Sequence, residues 1–265
     1  MHREPIGVES AMTLDAWLGF VPIATSVVLF LAFLILAWWR FRPRYDRVEK
    51  QEITSPLGKR IMEAAYWSCL PVGRGLVALR IGPDAVSLGS LVTGVAAGVA
   101  LAYGHWGLGA LCFYLSGIMD VLDGLVARLS DQQTVAGSVL DSSLDRYVDF
   151  AVLGGIAIHY RAAPLLLLVT LLSIHGSYMV SYSTAKAEAL GIKPPRGAMK
   201  RTERGPLIVI GAAFSSLTVP LLEPRLALGS FPGLPMIAVL SIIAVFSNIS
   251  AIQRLVAVAR NEPSK

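Results

Sequence analysis

The chain has 265 residues, of which 54% are hydrophobic and 15% are charged, and its mean hydropathy is +0.61. This composition excludes an ordinary soluble domain and is typical of a polytopic membrane protein. The formal net charge is +5, but the basic residues are confined to particular loops. We therefore expect them to set the orientation in the membrane rather than to bind nucleic acid.

Residues 1–56 are predicted to form an N-terminal anchor helix followed by a basic linker. The apolar run from Ala16 to Trp39 is long enough to span a bilayer. It is too long for a signal peptide, and basic residues follow it instead of a small-residue cleavage site, so we expect an uncleaved anchor. The basic residues at 40–60 predict contact with anionic lipids.

The rest of the chain predicts one further surface helix and a membrane core. Residues 57–82 mix apolar and basic positions, as in an amphipathic juxtamembrane helix, with an interruption expected at Pro71. Residues 83–265 predict a core of six transmembrane helices, at about 84–103, 107–129, 138–158, 164–186, 205–222 and 233–257. The predicted fold class is therefore an all-α polytopic membrane helix bundle.

Four aspartates stand where the second and third predicted core helices meet: Asp120, Asp123, Asp141 and Asp145. Residues three or four apart share a helix face, and the polar break containing Gly137 lets the two helices fold back on each other. The four carboxylates then meet at one end of a hairpin, where unpaired charges would repel and would be unfavourable near a bilayer. A hard divalent cation relieves both effects, and an all-oxygen site suits magnesium, manganese or calcium rather than zinc.

The full pattern is D-x2-D-G-x2-A-R-x8-G-x3-D-x3-D, which also includes Gly124, Ala127 and Arg128. Aspartates that merely cap helices in a solvated loop would not require these three residues at fixed offsets. The pattern resembles the signature of the CDP-alcohol phosphotransferases, membrane enzymes that make phospholipid head groups. The similarity extends from about Leu70 to Val258.

The resemblance implies a reaction and a set of site residues. CDP-diacylglycerol would donate its phosphatidyl group to the hydroxyl of a small polar alcohol, with CMP leaving, and the family's general base corresponds to Asp145. The expected cofactor is Mg²⁺ or Mn²⁺, as two ions, and the family usually forms homodimers. The expected metal ligands are Asp120, Asp123, Asp141 and Asp145, and the expected CDP-lipid-binding residues are Asp84, Ser87, Asp123, Gly124, Ala127, Arg128 and Gly137.

A basic stretch at 181–204 is similar to the acceptor region of bacterial phosphatidylinositol-phosphate synthases. The residues that match are Lys186, Arg201, Arg204 and, in the last helix, Arg254. The resemblance implies a phosphorylated acceptor, with inositol phosphate favoured. Because Thr184 stands where that subfamily has a lysine, glycerol 3-phosphate or another alcohol stays an alternative. Ordinary charge that sets the membrane orientation would also account for the basic stretch.

Asp149 completes a D-R-x-x-D pattern with Asp145, and it would either support the site or act as a salt-bridge partner.

Charge orients the predicted helices. If the aspartate motif lies inside, only Arg3, Arg161 and Arg225 of the 23 Lys and Arg residues fall outside. Because positive charge is enriched on the inner side, we expect the motif to face the cytoplasm from the cell membrane. A divalent cation transporter is the remote alternative, but transport favours carboxylates on several separated spans, and here they cluster within one short stretch.

Overall fold

The structure, a computed structural model, describes residues 6–38, 56–192, 199–226 and 233–260. These residues form eight α-helices: α1 (Ile6–Trp38), α2 (Pro56–Ala78), α3 (Pro83–Ala102), α4 (Trp106–Leu129), α5 (Val135–His159), α6 (Pro164–Ala189), α7 (Arg201–Leu226) and α8 (Leu234–Arg260). A short 3-10 helix, Tyr160–Ala162, joins α5 to α6. The predicted all-α class is confirmed. The lipid contact predicted for 40–60 lies mostly outside the described residues.

Each of the six predicted core spans corresponds to one helix, from α3 to α8. Among the described residues, five helices are long and apolar enough to cross a membrane: α1, α3, α4, α6 and α8. The first fifteen residues of α5 include four charged side chains, which lower the hydropathy of that helix: Asp141, Asp145, Arg146 and Asp149. The first turn of α7 likewise carries charged residues. Several apolar helices in one chain indicate a multi-pass membrane protein.

Two local features differ from the sequence-based expectation. Helix α2 continues through Pro71, because apolar residues before and after the proline, such as Tyr66 and Leu76, pack on α4. Gly137 lies in the first turn of α5 rather than in the polar break. Thr134 caps that helix, and its hydroxyl accepts a hydrogen bond from the Gly137 amide at 2.9 Å.

Helices α3 and α5 touch through their backbones. A Cβ atom at Gly98 would lie 2.2 Å from the carbonyl oxygen of Ala151, and one at Gly155 would lie 2.0 Å from the carbonyl oxygen of Gly98. Small residues at a membrane helix interface permit this close approach. The contact holds α5, and with it the second aspartate pair of the motif, against the helix that precedes α4.

The anchor helix α1 contacts the core at several points from Asp15 onward. The Asp15 carboxylate accepts hydrogen bonds from the amides of Gly107 (2.9 Å) and Leu108 (3.0 Å), which belong to the first turn of α4. Further along, the Ser26 hydroxyl is hydrogen-bonded to the Tyr114 hydroxyl at 3.0 Å. Asp15 therefore satisfies amides that the first turn of a helix leaves without partners, and its negative charge favours the positive end of the helix dipole.

We expect Asp15→Ala to lower the free energy of unfolding by about 1 kcal/mol, as loss of a helix cap does. Asp15→Asn is the intermediate variant, because an asparagine keeps one acceptor oxygen for the two amides and should lose less stability than Asp15→Ala does. Chemical denaturation of the two variants in detergent measures the difference. Equal stability of Asp15→Ala and the wild type would show that the docking of α1 does not depend on this cap.

Candidate active site

Three of the four predicted metal ligands meet at the junction of α4 and α5. Asp120, Asp141 and Asp145 each offer a carboxylate oxygen, and these three oxygens lie within 4.8 Å of one another. All three side chains are half-buried. An all-oxygen donor set of this kind fits Mg²⁺ or Mn²⁺.

Asp123 lies one helical turn beyond Asp120 and faces α3. Its side chain is 5% exposed, and its carboxylate accepts a hydrogen bond from the Ser87 hydroxyl at 2.7 Å. Ser87 of α3 and Asp123 of α4, both predicted to bind the CDP-lipid, are thus in direct contact with each other.

Arg201, the first residue of α7, lies against the aspartate cluster. Its guanidinium donates a hydrogen bond to Asp120 at 2.9 Å and also contacts the carboxylate of Asp145. A third carboxylate, that of Asp149, lies 3.7 Å from its Nε atom. Burial by itself lowers the pKa of Arg201, but the three carboxylates outweigh it and raise that pKa above its usual value, so the side chain stays charged. The sequence predicted Arg201 as an acceptor-binding residue and did not reveal these ion pairs.

Arg204 is buried one turn further along α7, with 3% of its surface exposed. It donates hydrogen bonds to the Asp149 carboxylate at 2.8 Å and to the Met199 carbonyl at 3.0 Å. Asp149 is therefore a salt-bridge partner of both arginines, one of the two roles considered for it. Its position four residues after Asp145, on the same helix face, was the sequence signal for this role.

The other two predicted acceptor residues lie on α6 and α8. Arg254 of α8 is 4% exposed, and it donates a hydrogen bond to the Thr184 hydroxyl of α6 at 2.9 Å. Lys186 is exposed in the last turn of α6. Lys193 and Arg196 of the same basic stretch lie outside the described residues. Thr184 is thus engaged with one of the expected acceptor-binding arginines.

The remaining predicted lipid-binding residues surround the same end of α4. Arg128 donates a hydrogen bond to the Tyr66 hydroxyl of α2 at 2.5 Å, and its guanidinium lies 5.6 Å from the centre of that ring. Asp84 adjoins Gly137, because a Cβ atom on that glycine would lie 3.9 Å from an Asp84 carboxylate oxygen. Gly124 and Ala127 lie on α4 between Asp120 and Arg128 and are half-buried.

A model of the CDP-alcohol phosphatidyltransferase family matches residues 80–249. The chain belongs to the CDP-alcohol phosphatidyltransferase family. The match begins just before α3, so α1 and α2 precede it. Family membership makes this protein a membrane phosphatidyltransferase, and it confirms the enzyme class that the motif predicted.

Similar curated proteins are synthases of inositol-containing lipids. The phosphatidylinositol phosphate synthase of Mycobacterium tuberculosis is 33% identical over 190 residues, which cover 70% of this chain and 82% of the synthase. The archaetidylinositol phosphate synthase of Methanothermobacter thermautotrophicus is 38% identical over 137 residues, or 52% of this chain and 69% of that protein.

Two crystal structures of the Mycobacterium tuberculosis phosphatidylinositol phosphate synthase have the same fold, each at 28% identity. One, in complex with manganese and citrate, gives a TM-score of 0.63 and covers 74% of this chain and 90% of its own. The other, with CDP-DAG bound, gives a TM-score of 0.61 and covers 72% and 92%.

The buried ion pair of Arg204 and Asp149 yields a stability prediction for this phosphatidyltransferase. Arg204→Gln leaves Asp149 without its closest partner, and we expect a loss of about 3 kcal/mol in the free energy of unfolding, as when one member of a buried pair is removed. Lys186→Gln removes an exposed cation and serves as the control. If chemical denaturation shows equal losses for the two variants, the pair does not stabilise the bundle.

Proposed function

We propose that this phosphatidyltransferase transfers the phosphatidyl group of CDP-diacylglycerol to a phosphorylated alcohol, with inositol phosphate favoured, and releases CMP. The observation that carries the proposal is the placement of Arg201. It joins the aspartate cluster of the family motif to the basic residues at the start of α7. A site that handles a diphosphate and an acceptor phosphate together needs both kinds of residue side by side.

The proposed cofactor is Mg²⁺ or Mn²⁺, with two ions. Asp120, Asp123, Asp141 and Asp145 would hold them. Bound there, the ions would supply positive charge that shields the diphosphate and stabilises the phosphate of the departing CMP. The manganese complex of the mycobacterial synthase supports this choice of metal.

The chain's own residues do the rest. Asp145 takes the proton of the attacking hydroxyl as general base. Arg128 pairs with the diphosphate, and Gly124 and Ala127 keep the α4 surface small beside the nucleotide. The nucleotide itself is contacted by residues at the starts of α3 and α5, namely Asp84, Ser87 and Gly137.

The acceptor's phosphate is bound by Arg201, Arg204, Arg254 and Lys186. The names of the curated relatives favour inositol phosphate. Glycerol 3-phosphate is the alternative, because it presents the same dianionic group to the arginines and because Thr184 departs from the inositol-phosphate pattern. Serine lacks a phosphate and would leave these arginines without a ligand.

We further propose that the site faces the cytoplasm from the cell membrane, because the distribution of Lys and Arg along the chain favours this orientation. We also propose that two copies of the chain form a homodimer, as the family resemblance implies.

Asp145→Asn tests the assigned base. An asparagine cannot accept the proton. With Mn²⁺, CDP-diacylglycerol and acceptor supplied, we expect the rate of CMP release by the purified variant to fall at least about 100-fold. Asp131→Asn, which removes an exposed carboxylate from the turn between α4 and α5, should turn over as the wild type does. Normal turnover of the Asp145→Asn protein would show that another group acts as the base.

An acceptor panel tests the proposed substrate. Myo-inositol 1-phosphate, glycerol 3-phosphate, myo-inositol and serine are each supplied with CDP-diacylglycerol, and the lipid product is identified by mass spectrometry. We expect product from phosphorylated acceptors, with inositol phosphate the best of them. Efficient use of serine or free inositol would contradict the assignment of the arginines to an acceptor phosphate.

A further inference from the structure

We propose that Arg201 couples metal binding to acceptor binding, because it pairs with two of the carboxylates that hold the metal and is also one of the acceptor's phosphate ligands. The inference rests on the proposed function, and it adds a thermodynamic link between the two halves of the site.

The ion pairs of Arg201 are with metal-ligand candidates rather than with bystanders. Its guanidinium contacts Asp120 and Asp145, and both belong to the group of three carboxylates whose oxygens lie within 4.8 Å of one another. A divalent cation on these oxygens would share them with a guanidinium a few ångströms away. At so short a distance in a half-buried site, the cation and the guanidinium repel each other strongly. A bound cation therefore weakens the ion pairs of Arg201 with both carboxylates.

Arg201 has a second anchoring point that the cluster does not include. Its Nε atom lies 3.7 Å from Asp149, which Arg204 also binds through the other carboxylate oxygen at 2.8 Å. Asp149 is outside the group of three carboxylates. When the guanidinium leaves Asp120 and Asp145, Asp149 keeps it beside Arg204, where two cations can meet one phosphate.

The sign of the coupling follows from this arrangement. The cation must displace Arg201 from the two carboxylates, and a phosphorylated acceptor must draw the same side chain away. Whichever ligand binds first removes the cost for the other, so each should raise the affinity for the other by the same factor. The affinity for the metal is therefore higher when the acceptor is bound, and the affinity for the acceptor is higher when the metal is bound.

The test measures Mn²⁺ affinity of the full-length protein in nanodiscs from the electron paramagnetic resonance signal of free Mn²⁺. Titrations are made with and without saturating myo-inositol 1-phosphate, and a protein-free titration corrects for direct complexation of Mn²⁺ by the phosphate. We expect the inositol phosphate to tighten Mn²⁺ binding to the wild type at least about fivefold. In Arg201→Gln, Mn²⁺ should bind more tightly than in the wild type without inositol phosphate, and the added ligand should bring no further gain.

Arg146→Gln is the matched control for simple loss of charge. Arg146 adjoins Asp145 in the chain, but its guanidinium donates to the Ser142 carbonyl. This variant should keep the coupling and change Mn²⁺ affinity much less than Arg201→Gln does. Arg201→Lys retains the charge without the planar fork that reaches two carboxylates, so its coupling should fall below that of the wild type. That variant decides the question if Arg201→Gln does not fold.

Weaker Mn²⁺ binding in Arg201→Gln would overturn the inference, because it would show that Arg201 positions the ligands instead of competing for them. So would coupling of wild-type size in Arg201→Gln or Arg201→Lys. Release of CMP from CDP-diacylglycerol by the wild type is measured in parallel. Turnover without coupling overturns this inference alone, whereas absence of both Mn²⁺ binding and turnover overturns the proposed function with it.

Discussion

Five aspartates near one end of a membrane helix bundle require positive charge beside them. They are Asp120, Asp123, Asp141, Asp145 and Asp149. In the structure, that charge comes from α7, whose first turn places Arg201 against the cluster and Arg204 against Asp149. Repulsion between carboxylates is stronger in a half-buried site than in water. The ion pairs between α7 and the helices α4 and α5 are therefore the constraint that the rest of the site depends on.

The remaining helices hold this arrangement in place. Contact between the backbones at Gly98 and Gly155 positions α5 against α3, and the hydrogen bond from Ser87 to Asp123 ties α3 to α4. At the opposite end of α4, Asp15 of α1 caps the first turn. The anchor helix lies outside the region that matches the family model, yet it packs directly on the helix that carries half of the aspartate motif.

Much of this could be predicted from the sequence. Apolar runs of membrane-spanning length located the helices, since hydropathy and length determine them locally. The eight-residue motif predicted that four aspartates meet, because spacings of three and four define a helix face. The structure brings three of them together. The family assignment followed from the same eight positions, and the family model confirms it.

The contacts between distant helices could not be predicted in this way. The pairing of Arg201 with Asp120 joins residues 81 positions apart, and it depends on how α7 lies against α4. The same holds for Asp15 and the start of α4, where a lone aspartate before an apolar run gave no signal of its partner. The interruption predicted at Pro71 was wrong, because packing of α2 on α4 overrides the local tendency of proline to end a helix. Local pattern thus predicted the helices and the meeting of three aspartates, and tertiary packing decided which charges are paired.

The most direct test of the account is the position of a bound ion. Anomalous scattering from crystals grown with Mn²⁺ and CDP-diacylglycerol locates manganese without reference to any assumed ligand. We expect manganese peaks coordinated by carboxylate oxygens of Asp120, Asp123, Asp141 and Asp145. We also expect Arg201 to have moved away from Asp120 and Asp145 toward Asp149. A manganese peak elsewhere, with Asp120 and Asp145 still paired to Arg201, would contradict this expectation.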